Sequence, residues 1–316
     1  MASQPDTVIL LATYLPGALL VPQLDSYAQQ SHHGWRLIVS DDSPDSESQT
    51  DVMRALQALR DRMPGQDIGY ICGPRRGSAQ NFLHLLRAAG TQDDYVALSD
   101  QDDVWLPEKL ARARAALAAL PTDQPGLYCA RTQLCDASLT PIRLSPIWSR
   151  RFGLRNALVQ NVAAGNTIVL NRAGLALAQQ AVSAAEASGI AAHDWWLYQL
   201  ITAFDGTVLR DDQPVLLYRQ HAANQMGRND TLRAGLVRLR RIWSGEYRDW
   251  VGRNLTALLP LSAQMPDESR QILADFAALR QARPWQRLSG WQRLGLYRQS
   301  RRGGLILWLA LLLGQL

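Results

Sequence analysis

The sequence predicts an α/β fold: a sheet flanked by helices on both faces, followed by a C-terminal basic helical extension. Three observations carry that prediction. Apolar runs of strand length, beginning with Thr7–Thr13, are continuous rather than alternating, as strands covered on both faces are. They alternate with segments of helical spacing as far as Tyr218. Acidic clusters directly follow two of the runs, at the strand ends beyond which open α/β sheets bind ligands.

The elements follow in order. The first strand, Thr7–Thr13, is closed by Pro16-Gly17. Residues 18–31 space Leu20, Leu24, Tyr27 and Ala28 as a helix does. Strands are expected at 36–40, 68–72 and 95–99, with helices at 51–62, 77–89 and 107–120, the last opened by Pro107. Further on, strands are expected at 126–132, 166–170, 208–209 and 214–218, and helices at 172–187 and 194–202. Residues 1–227 make one α/β unit on this reading, and 228–316 a separate helical region.

The bulk properties agree. The chain has 316 residues, 47% of them apolar, enough for a large core. Three cysteines, Cys72, Cys129 and Cys135, leave an odd count without metal-type spacing, which fits a reducing, cytoplasmic setting. The N-terminus lacks a basic segment before its short apolar run, so it reads as a strand and not a signal peptide. Charge is uneven: residues 1–225 hold 22 acidic and 18 basic side chains, residues 226–316 hold 6 and 15. An acidic partner, if the chain has one, therefore meets the tail. Every basic residue except Lys109 is arginine, which reads as genome composition rather than function.

The chemistry starts at Ser99-Asp100-Gln101-Asp102-Asp103-Val104-Trp105. Asp100 and Asp102 stand two apart, so on an extended segment both point the same way and converge on one hard divalent cation. Mg²⁺ is usually held by one or two carboxylates plus substrate phosphates, which suits a diphosphate ligand. The alternative is a solvated acidic turn in which Asp103 caps a helix. Asp41 and Asp42 after the second strand are placed to accept from a base and a ribose, or form an ordinary Asx turn. Arg75, Arg76 and Gly77, then Asn81, supply cations and a helix N-terminus suited to phosphate, or a plain surface loop.

Taken together, VILLATYLP, VSDDSPD, RRGSAQNF, ALSDQDDVWLPEKL, AAGNTIVLNRAGL, HDWWLYQLITAFDG and LLYRQHAANQMG resemble the family 2 glycosyltransferases, in the family's order, over residues 7–227. The SDQDDVW, HDWW and YRQH elements are most similar to the bacterial branch that transfers rhamnose or related sugars in O-antigen and cell-wall polysaccharide assembly. The resemblance implies a GT-A fold, a Rossmann-like nucleotide-binding mixed sheet. It implies a metal-dependent inverting transfer from a nucleotide sugar, dTDP-rhamnose first and a UDP-hexose next, with Mg²⁺ or Mn²⁺ as cofactor. The acceptor it implies is a glycan or lipid-linked glycan at the inner face of the bacterial cytoplasmic membrane.

It also assigns roles. Thr13, Tyr14, Asp41 and Asp42 fall where the nucleoside is held, and Arg75, Arg76, Gly77 and Asn81 near the nucleotide. Asp100 and Asp102 match the D-x-D pair, with Gln101 between them at the donor. Asp194 falls at the catalytic base, and His221 at a further metal ligand that Mn²⁺ tolerates better than Mg²⁺. Asp103, Gly165, Asn166, His193, Trp195, Trp196 and Arg219 fall on the acceptor side or behind the ligands. His193 stands where many relatives carry an acid. Asp194 as a helix cap, the tryptophans as core and His221 as a structural histidine are the alternatives.

The tail is read apart. Beyond residue 228, arginines interleave with Leu and Trp as in a basic amphipathic helix, expected to lie on an anionic membrane surface. The alternative is packing onto the catalytic domain or a second subunit of a homo-oligomer. No nucleic-acid motif is present, so nucleic acid is not an expected partner. The apolar stretch at 305–313 is too short to span a bilayer. Two other functions compete: a nucleotidyltransferase, which lacks support because no Gly-rich basic loop follows the first strand, and a non-catalytic membrane-bound sugar-nucleotide sensor.

Overall fold

The computed structural model describes residues 6–91, 93–220 and 244–316. Within them one mixed sheet runs in the order β3-β2-β1-β4-β8-β6-β9-β5, with β7 pairing β6 at the side. The strands β1 (Thr7–Thr13), β2 (Trp35–Asp41), β3 (Ile68–Cys72) and β4 (Tyr95–Ser99) are parallel. Helices α1 (Leu20–Ala28), α2 (Ser46–Arg62) and α3 (Ser78–Ala88) connect them. Beyond β4 the sheet turns mixed: β8 (Val169–Asn171) is antiparallel to β4 and to β6 (Gly126–Cys135), and β9 (Thr207–Arg219) is parallel to β6.

Alternate residues of β1 feed two cores, as the pleat requires. Val8 and Leu10 point to one side, with α3, α6 (Arg172–Ser188) and α7 (His193–Ala203). Ile9 and Leu11 point to the other, with α1, α2 and α4 (Lys109–Leu117). Covering on both faces explains why these strands read as unbroken apolar runs.

Several bounds differ from the sequence reading, each for a local reason. Helix α2 starts at Ser46, because the Asp45 carboxylate caps it by accepting from the Ser48 amide at 2.7 Å. Residues 165–167 form a 3₁₀ turn, so the strand expected at 166–170 begins only at Val169. The two short strands expected at 208–209 and 214–218 are one strand, whose register with β6 shifts between Ala130 and Gln133. Two short strands, β5 (Val104–Trp105) and β7 (Pro141–Leu144), carry too few residues to show a period. A single turn, α5 (Leu154–Ala157), precedes the 3₁₀ turn.

The C-terminal region adds α8 (Glu246–Leu258), α9 (Asp267–Gln281), α10 (Pro284–Leu294) and α11 (Arg301–Leu312). Val251, Leu255, Leu258, Leu273, Phe276, Leu307 and Leu311 join the same buried cluster as Val8 and Leu98. From residue 244 on, the packing alternative is therefore realised for one face of these helices. None of the described helices is long and apolar enough to cross a membrane. The segment through Arg233, Arg238, Arg240 and Arg241 lies outside the described residues.

Candidate active site

The C-terminal ends of the parallel strands open on one rim. Strand order reverses between β1 and β4, since β2 and β3 lie on one side of β1 and β4 on the other. That reversal leaves a crevice where ligands bind in open α/β sheets. Across it, the Gln101 side chain accepts from the Tyr14 amide at 2.7 Å and donates to the Tyr14 carbonyl at 3.0 Å. The Tyr14 ring is left exposed over the opening.

The β1–β2 side is rigid. Asp41 is buried and accepts from the Thr13 hydroxyl at 3.0 Å and the Ser43 hydroxyl at 2.7 Å. Asp42 accepts from the backbone N–H of Arg75 at 2.8 Å, where Arg75 takes a left-handed φ of 56°. Asn81, also buried, donates to the Ser40 carbonyl at 2.9 Å and accepts from the Ser40 hydroxyl at 2.5 Å. Its side chain braces the strand ends from below. Gly73 is required here, because a Cβ would run into the Asp42 carboxylate. Arg75 and Arg76 are exposed at the start of α3, which follows Gly77 (φ 87°) and has no side-chain cap. Its free N–H groups and the two guanidiniums suit an anion together.

The acidic segment ends β4. Asp100 and Asp102 are partly exposed, while Asp103 is fully buried. Burial, then Asp102, then Asp194 push Asp100 up to about 7. Burial first, then Asp102 and Asp100, push Asp103 well above the usual carboxylate range. One oxygen of Asp103 accepts from the Asn166 amide at 2.5 Å; the other has no hydrogen-bond partner. Arg219, at the end of β9, steadies this loop by donating to the Asp102 carbonyl at 3.2 Å and the Ala137 carbonyl at 2.6 Å.

Asp194 comes from the first turn of α7. Its carboxylate accepts from the Trp195 amide at 2.7 Å, and the Asn161 side chain and the Gly165 amide are further polar groups that favour its charged form. Burial still outweighs these groups and raises it to about 6. Before it, His193 stacks on Phe82 with centroids 3.8 Å apart. Burial pushes the His193 imidazole down to about 3, so the ring is neutral. Trp195 and Trp196 turn into the core, and Trp195 donates to the Ala157 carbonyl at 2.6 Å. They anchor α7 rather than line the opening. His221 lies outside the described residues.

Two strand ends, the acidic loop and the start of α7 thus meet at one rim. Asn161 was not expected from the sequence: a single polar residue before Val162-Ala163-Ala164 carries no period or motif. Among the described residues there is no cluster of three or more side chains of metal-ligating type. The donor set does fit a hard divalent cation. Asp100 and Asp102 offer carboxylate oxygens, the neighbouring Asp103 has an orphaned oxygen, and a cation would offset the burial and the neighbouring Asp102 charge that together raise Asp100.

The architecture and rim define an α/β fold of GT-A type. Residues 8–173 match glycosyl transferase family 2, and the chain belongs to that family. A curated relative, the dTDP-rhamnosyl transferase RfbG of Shigella flexneri, is 25% identical over 194 residues, covering 58% of this chain and 62% of the relative. The chain thus matches less than two-thirds of that relative's length. Residues 1–349 of S. aureus TarS, solved with UDP, superpose with a TM-score of 0.51 at 11% identity, over 87% of this chain and 71% of that one. The Pyrobaculum calidifontis mannosyltransferase PcManGT, solved with GDP-Man and Mn²⁺, aligns at 16% identity and a TM-score of 0.47, over 99% of this chain and 86% of that one.

Proposed function

We infer that the protein is a metal-dependent, inverting glycosyltransferase that moves a sugar, rhamnose first, from a nucleoside diphosphate to a glycan or lipid-linked glycan in surface polysaccharide synthesis. The carrying observation is the 165–167 turn between Asp194 and the acidic loop: Asn166 donates to Asp103, while a Cβ on Gly165 would stand 3.4 Å from the Asp194 Cβ. A base on one side and metal-type carboxylates on the other are what single displacement at an anomeric carbon needs.

Asp194 takes the acceptor hydroxyl's proton as that oxygen bonds to the anomeric carbon. The bond from that carbon to the diphosphate breaks, and the nucleoside diphosphate leaves with the electron pair. Asp100 and Asp102 would hold a divalent cation, Mg²⁺ or Mn²⁺, which when bound would supply Lewis-acid stabilisation of that charge. Thr13, Asp41 and Asp42 hold the nucleoside, and Arg75, Arg76 and the start of α3 face its phosphates. The likeness to a dTDP-rhamnosyl transferase supports dTDP-L-rhamnose as donor. Family membership displaces the nucleotidyltransferase reading, which requires release of pyrophosphate. Contact of the C-terminal helices with the inner surface of the cytoplasmic membrane belongs to this reading, and the exposed Trp285, Leu305 and Leu309 support it.

The test is a panel of sugar nucleotides with Mg²⁺ or Mn²⁺, read by thermal shift and by product. The true donor raises the melting temperature most, by mass action, and about 2–3 kcal/mol of stabilisation is expected at a hundredfold excess over Kd. Nucleoside diphosphate is the expected product; pyrophosphate would refute the reading. Asp102→Ala is expected to abolish the metal-dependent part of the shift and of turnover.

A further inference from the structure

Position 109 is the only lysine among the 33 basic residues of the chain. Composition alone does not account for it, because this one side chain is fully buried beneath the acidic loop. Its ammonium nitrogen donates to the Asn166 carbonyl at 2.6 Å and sits 3.3 Å over the Trp105 ring. The Asn166 side chain in turn donates to the Asp103 carboxylate at 2.5 Å. The neighbouring Gly165 packs against the base: a Cβ there would stand 3.4 Å from the Asp194 Cβ. One connected set of contacts therefore runs from Lys109 to both halves of the rim: the acidic loop through the Asn166–Asp103 bond, and the base through the packing of Gly165 on the start of α7.

Stability does not explain this arrangement. Burying a lysine and a carboxylate costs several kcal/mol each, and apolar replacements of such groups are often neutral or stabilising. Arginine does not substitute either. Its planar fork presents five donors, whereas this pocket offers one carbonyl and an aromatic face. Building on the proposed function, we propose that Lys109 is a positioning residue, which pins the 165–167 turn and so fixes the separation between the D-x-D carboxylates and Asp194.

The test uses full-length Lys109→Met, Lys109→Arg and Asn166→Ala, with dTDP-L-rhamnose and Mn²⁺ as probe and water as acceptor. Nucleoside diphosphate release is followed. Lys109→Met is expected to lower kcat about tenfold or more with donor KM within about threefold, since positioning acts on the transition state. Lys109→Arg does not rescue. Lys109→Met with Asn166→Ala is no worse than the poorer single variant, because both act through one linkage. Lys109→Met with Asp103→Asn removes both buried charges. It is expected to melt no lower than wild type yet turn over as slowly as Lys109→Met. Wild-type protein that turns over no donor overturns the proposed function and this role with it. Wild-type turnover with an unchanged Lys109→Met kcat overturns the role alone. If both Met variants fail to fold, Lys109 is a strut for stability and the proposal falls.

Discussion

Asp194 shows how a single side chain serves chemistry at the expense of stability. Folding raises its pKa from the ordinary 3.8 to about 6. The native state therefore binds a proton more tightly than the unfolded chain between those values. By linkage, the protonated form's stabilisation is present below about pH 4 and is lost as pH rises through 6. Asp194→Asn removes that loss and can keep the hydrogen bond from the Trp195 amide. The variant is expected to be more stable than wild type above pH 6, by on the order of 1–2 kcal/mol after allowance for partial exposure, with the gap closing towards pH 4. Denaturant melts across that range measure it. Turnover should be lost while nucleotide binding remains, and wild-type activity should fall as pH drops below about 6. Retained transfer in the variant would place the base elsewhere.

At the scale of elements, the rim depends on a tight contact between the 165–167 turn and α7. A Cβ at Gly165 would stand 2.8 Å from His193 Nε2 and 3.4 Å from the Asp194 Cβ. His193 cannot retreat, because its ring lies against Phe82. Gly165→Ala is therefore expected to cost about 1–3 kcal/mol by overpacking. It should also lower kcat about tenfold by displacing Asp194, as small misplacements do. Adding His193→Ala should return part of the stability, and a strictly additive pair would contradict the contact.

That contact also marks the limit of what the sequence discloses. The β1–α1–β2 unit is legible because Val8 to Leu11 alternate between two buried faces and so must all be apolar. The acidic rim is legible because carboxylates after a buried strand conflict with the run before them. The 3₁₀ turn at Gly165 is not, since Asn166 and Thr167 look strand-like until Asn166 is seen donating to Asp103. Strand β9 reads as two because Asp211, Asp212 and Gln213 interrupt its apolar pattern at the register shift. Lys109 falls within the helix expected at 107–120 and is assigned no role there. Its rarity reads as genome composition, and burial is a tertiary property.

At the scale of the whole molecule, the C-terminal helices have two faces with different tasks. The inner one supports the site. Tyr247 donates to the Val159 carbonyl at 2.7 Å and stacks on Trp195, the residue after the base. Gln299 and Arg155 tie the segment around 294–299 to residues 150–160. The outer face is apolar: Leu305, Leu309 and Leu313 follow one stripe of α11 and its end, Leu305 being 66% exposed, and Trp285 on α10 is equally exposed. Arg301 and Arg302 stand in the first turn of α11, where no acidic residue accompanies them. Cations there oppose the helix dipole, so an external anionic surface would relieve them. Exposed Leu and Trp beside arginines match the proposed contact with anionic lipid. Deleting residues 303–316 does not test this cleanly, because Leu307 and Leu311 are buried in the main core. Leu305→Gln, Leu309→Gln and Leu313→Gln together change only the outer stripe. The triple variant should keep the wild-type melting temperature. It should lose binding to phosphatidylglycerol vesicles by about one to two orders of magnitude in flotation, from roughly 1 kcal/mol per leucine. Wild-type binding should weaken with added salt as the arginines are screened. Equal flotation of the triple variant and wild type would remove this face as the membrane contact.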